Sequence, residues 1–154
     1  MTPTGFSEIE LAGKVAFKVA KVTIPAASVL ALNATPYELV PAPSSTLRGD
    51  VWLEFMGAFI HKPAGTAYDT IHNDDEFVVQ LGTTTVSAEL EATGFMDQAT
   101  AQTRNILPLA THTTPLVNTA LNLKMDNSEI KNGTSPIYVT VLYREWRDVV
   151  SAAA

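Results

Sequence analysis

The sequence predicts an all-β protein, an antiparallel β-sandwich of Greek-key or jelly-roll type, on three observations. Residues of like character recur at spacing two over Lys14 to Val19, Val86 to Leu90 and Ile137 to Trp146, the period of a strand. The runs are short and are cut by turn formers such as Pro36, Pro41, Gly82 and Asn132-Gly133. No segment reads as a helix long enough to cover a parallel sheet.

The elements follow in order. Residues 1–13 carry Pro3, Gly5 and Gly13 with little apolar content and read as a flexible N-terminal arm. Residues 14–148 read as a single sandwich domain, and residues 149–154 as a tail. In Lys14 to Ile24, Val15, Phe17 and Val19 share one face and Lys14 and Lys18 the other, which predicts a strand with a basic outer edge. A short strand and a turn are expected around Val29 to Pro36, before an extended run at Tyr37 to Val40.

The central stretch is Asp50 to Lys62. As a strictly alternating strand it carries Val51, Leu53, Phe55, Gly57, Phe59 and His61 on one face. The other face carries Trp52, Glu54, Met56, Ala58, Ile60 and Lys62. Both faces are largely apolar, so both are expected to be covered, and Trp52, Met56 and Ile60 become the candidate oligomer interface.

Beyond it, residues 61–75 predict a long connection and Glu76 to Leu81 a strand. Thr85 to Ala92 predicts a strand with one wet face. A helical turn is expected within Gly94 to Ala101, and an irregular segment over Thr103 to Thr114. Leu121, Leu123 and Met125 define a further strand, with a bulge near Asn118. Asn132-Gly133 predicts a tight turn with positive φ at Gly133, feeding the strand Ile137 to Trp146.

Composition narrows the function classes. With 154 residues, 46% hydrophobic and 17% charged, the chain can bury one core. A net charge of −6 argues against binding a phosphate backbone, so nucleic acid is not an expected partner. There is no cysteine, which removes disulfides and thiolate chemistry. No apolar run reaches the ~18–20 residues of a helical span, and the first ten residues lack the pattern of a signal peptide, so no membrane is expected.

No constellation carries chemistry. His61, His72 and His112 show no paired-ligand spacing, so no metal is assigned. Asp69, Asp74 and Asp75 with Glu76 form the densest acidic loop, and their spacing does not fit an EF-hand. The serines Ser44, Ser45 and Ser135 lack a nucleophile elbow, and no glycine loop cradles phosphate. No catalytic residue and no cofactor are expected. Two aromatic sets, Tyr37 with Tyr68 and Tyr138 with Tyr143 and Trp146, are candidates for a sugar-stacking platform.

The run Ser28 to Pro43, SVLALNATPYELVPAP, resembles small structural proteins encoded among bacteriophage virion genes. The order of Thr66-Ala67-Tyr68, Asn73-Asp74-Asp75, Gly94-Phe95-Met96-Asp97-Gln98 and the closing strand through Arg144 is similar to such proteins as well. The resemblance implies a head decoration or cement protein, commonly a β-rich homotrimer. It would be made in the host cytoplasm and bound to the major capsid protein on the virion surface. It brings no catalytic residues. The alternative is a carbohydrate- or receptor-binding module of a head or tail fibre.

Overall fold

The computed structural model describes residues 15–44, 50–111, 115–127 and 129–147. The expected arm and tail, and His112, lie outside them. Among the described residues nine strands and one short helix follow in order: β1 (Val15–Ile24), α1 (Ala26–Val29), β2 (Tyr37–Val40), β3 (Val51–Lys62), β4 (Glu76–Leu81), β5 (Thr84–Thr85), β6 (Leu90–Glu91), β7 (Gln102–Ile106), β8 (Leu121–Asp126) and β9 (Ile137–Arg147).

They form two antiparallel sheets packed as a β-sandwich. The first has the order β1-β9-β3-β7, and the second β2-β8-β4-β5, with β6 also paired to β4. Between them lie Leu53, Ile60, Val139 and Val141 from the first sheet and Phe77, Val79, Leu121 and Leu123 from the second. Each fully buried side chain of this size contributes about 1.5–3 kcal/mol, so this layer is the main source of stability. Phe95 meets Phe77 edge-on at 6.0 Å from the loop before β7, closing the core on that side.

The centre of the first sheet departs from strict alternation. Against β9, Phe55 pairs with Tyr143 while Gly57 pairs with Leu142, so Met56 is an extra residue in a β-bulge. Gly57 adopts φ 143°, a conformation side chains disfavour, and this is why the bulge falls here. The phase therefore slips by one. Val51, Leu53 and Phe55 point into the core before the bulge, and Ala58, Ile60 and Lys62 after it. Ile60 is thus fully buried in the sandwich, and the expected grouping of Trp52, Met56 and Ile60 on one outer face does not form. The regular pattern failed because one inserted residue flips every side chain beyond it.

The orientation of β1 is also the reverse of the one expected. Ten consecutive pairs tie it to β9, from Val15 opposite Trp146 to Ile24 opposite Ile137. The β9 residues Ile137, Val139 and Val141 must enter the core, which draws in Ile24, Val22 and Ala20 beside them. Val15, Phe17 and Val19 consequently face outward, and Lys18 turns inward to an ion pair with Glu145 at 2.9 Å.

Other local expectations change as well. Pro25 starts a single helical turn, α1, where a short strand was expected, and Val29 and Leu32 are buried from it. The strand expected over Thr85 to Ala92 breaks into β5 and β6, because Ser87 turns inward to accept from the Val79 N–H at 2.8 Å and donate to the Ala88 carbonyl at 2.9 Å. Residues 94–101 form turns with no helix, and the irregular segment expected after them contains the edge strand β7.

Candidate functional site

The outer face of the first sheet is the most unusual surface of the molecule. Phe17 is 76% exposed, Val19 58% and Phe59 48%, and Met56, Leu142 and Tyr138 join them. The pairing of β1, β9 and β3 brings these side chains onto one face. A shallow groove of about 320 Å³ runs between Phe17, Val19, Met56 and Leu142. Isolated apolar side chains on a surface are ordinary, but a contiguous set on three adjacent strands is the signature of a contact surface.

A polar cluster holds one end of this face rigid. Glu54 is nearly buried, with one carboxylate oxygen accepting from the Arg144 guanidinium and the other from Trp146 Nε1 at 2.6 Å. Trp52 stacks on Trp146 with centroids 6.0 Å apart. The Arg144 guanidinium lies 5.3 Å from the Trp146 ring centre and 5.8 Å from that of Phe17. Trp52, placed in the expected interface, is therefore engaged within its own face, whereas Met56 on the bulge is available.

The remaining candidates separate. His61 pairs its Nδ1 with Thr103 Oγ1 at 2.7 Å and stacks on Tyr138. Asp75 is fully buried and accepts from the His72 backbone N–H at 2.7 Å, while Asp69 accepts from Asn132 Nδ2 at 2.6 Å. Asp75 thus closes its own turn and Asp69 ties the loop to the Asn132 turn, and no group of three His, Asp or Glu converges on a metal position among the described residues.

The sugar-platform sets do not assemble either. Tyr68 is buried and donates its hydroxyl to the Ser135 carbonyl at 2.5 Å, and burial pushes its pKa up to about 12. Tyr143 lies on the opposite face of β9 from Tyr138 and Trp146, as period two requires.

Two charged groups, Lys62 and Glu76, sit in environments that the sequence reading did not foresee. Lys62, at the end of β3, is fully buried, its ammonium 3.3 Å from the Pro63 carbonyl, and burial pulls its pKa down. The bulge brought it inward, and the apolar run gave no hint of that. Glu76 is held above the ordinary glutamate range by partial desolvation first, then by its contact with Glu89 and the charges of Glu91 and Asp126. In comparisons with known proteins, no family model and no curated protein matches this chain.

Proposed function

We propose that this is a structural protein that works by protein-protein contact through the outer face of its first sheet. Taken with the resemblance of Ser28 to Pro43, the specific reading is a bacteriophage head decoration protein that stabilises the capsid by binding the major capsid protein. The observation that supports it is the contiguous apolar surface of Phe17, Val19, Met56, Phe59 and Leu142. A surface of this kind is costly to leave in water and is retained where a partner covers it. The rigid Glu54, Arg144 and Trp146 cluster beside it supplies the pre-formed rim that limits the ordering cost of binding. The homotrimer belongs to the resemblance alone.

The test is localisation of the labelled protein in virions by cryo-electron microscopy, with capsid binding measured for the wild type and for Phe59→Asp. Label on the outside of the capsid shell, and loss of binding in the variant at unchanged melting temperature, are expected. Label on the tail or neck, or full binding by Phe59→Asp, would overturn the reading.

A further inference from the structure

The first sheet has a second unusual feature, independent of the capsid reading. Strand β1 is its edge, ten residues long, and among the described residues no strand pairs with its free side. Natural edges of this length are blunted by prolines, bulges or charges that overhang the edge. Here β1 is in unbroken register with β9 and contains no proline. Lys18, the residue best placed to guard its middle, is drawn to Glu145 on the inner side. The outward residues Val15, Phe17 and Val19 are apolar, and only Lys21 carries charge there.

The geometry points to a second copy of this chain pairing along the free edge of β1, antiparallel about a two-fold axis through Val19, to join two first sheets into one of eight strands. The register follows from faces and charges. Outward residues must meet outward residues, so the axis passes through a residue and not between two. An axis at Lys18 sets two ammonium groups directly opposite each other. An axis at Ala20 leaves the two Lys21 side chains about 8 Å apart at strand spacing. An axis at Val19 separates them by about 14 Å and sets each Lys21 across from the partner's Phe17, a favourable cation–aromatic pair. In that register Val19 meets its own copy and Val15 meets Thr23. The two Lys18 groups are then about 8 Å apart, but on the inner side, where each ion-pairs with its own Glu145, a carboxylate that Arg147 shares. Residues 15–23 of both chains lie opposite one another, and with the Thr23 carbonyl already accepting from the Tyr37 hydroxyl at 3.5 Å the ladder forms about eight backbone hydrogen bonds. The apolar outer faces of the two subunits become continuous, doubling the surface available to a larger partner.

The chain's lack of cysteine makes the test direct. Light scattering of the 154-residue chain at micromolar concentration is expected to give about 33 kDa, twice the 16.5 kDa of one chain. Val19→Cys should form a covalent dimer under mild oxidation, because directly opposed residues lie about 4.5–5.5 Å apart, within disulfide reach. Lys21→Cys should not, its two copies being about 14 Å apart. Val19→Lys, at an exposed position, should fold with an unchanged circular dichroism spectrum and run as a monomer. A wild-type monomer would mean that another part of the same chain covers the edge. A trimer, or equal crosslinking at positions 19 and 21, would equally overturn the proposal.

Discussion

Replacing Gly133 with alanine should destabilise the protein through Tyr68, and the structure allows the size to be worked out. The sequence pointed to a positive φ at Gly133, but the left-handed residue of this turn is Asn132, at φ 63°. What forbids a side chain at 133 is space. A Cβ built there would lie 2.2–2.3 Å from three ring atoms of Tyr68. The ring cannot retreat cheaply, since its hydroxyl is bonded to the Ser135 carbonyl at 2.5 Å and the ring is buried. Overpacking of a tight site costs about 1–3 kcal/mol. Loss of the buried hydrogen bond adds about 1 kcal/mol, for a total of about 2–4 kcal/mol. At about 2–4 °C per kcal/mol for a chain of this size, the melting temperature should fall by roughly 5–15 °C. Differential scanning calorimetry of the two single variants and the double variant Gly133→Ala with Tyr68→Ala decides the mechanism. Once the ring is gone, the alanine should cost almost nothing further. Additive losses, or an unchanged melting temperature in Gly133→Ala, would refute the steric argument.

Three further outcomes follow. Arg144→Leu removes the cation from the nearly buried Glu54 and should cost about 1–3 kcal/mol in urea unfolding, with Glu54→Leu in the same chain restoring much of it. The raised carboxyl of Glu76 means that the folded state binds its proton more tightly, so this group's contribution improves as pH falls through its folded pKa. Glu76→Gln should therefore raise the melting temperature at pH 7, with the advantage vanishing below the ordinary glutamate range. Lys62 has the opposite sign: its lowered pKa means the unfolded chain binds the proton more tightly, so stability rises with pH above the folded pKa towards the ordinary lysine range. Lys62→Met should flatten that alkaline rise and stabilise the protein at neutral pH, as melting curves between pH 7 and 10 would record.

The sequence carried the sandwich because β9, β4 and β8 alternate cleanly or run apolar, and alternation survives any arrangement of neighbours. It could not carry the direction in which a face points. For β1, both faces hold enough apolar carbon to be buried, and the choice was made by Val139 and Val141 more than a hundred residues away. The bulge at Met56 was hidden for a related reason, since its one local sign, Gly57, also fits a regular strand. Strand β7, QTRNI, was missed because an edge strand buries little and keeps polar residues. The candidate site suffered most. Alternation puts Phe17 and Val19 opposite the basic outer edge and Phe59 on the face of Val51 and Leu53, yet all three are exposed, while Ile60, assigned to the oligomer interface, is core.

The position of β9 between β1 and β3 has a consequence for how the molecule comes into being. During synthesis β1 and β3 emerge long before the strand that joins them, so the first sheet cannot close until every other strand has been made. Until then β1 has no ladder to hold its apolar side chains and β3 has only β7 beside its second half, so the pairing of β1 must wait on a contact of the greatest sequence separation in the fold. Loops of that length close slowly, and unpaired strands in the meantime invite association between nascent chains. A chain ending before Ile137 would lose the central joint of one sheet and leave two separated edges, so C-terminal truncation should abolish folding outright where removal of an outer strand would only weaken it.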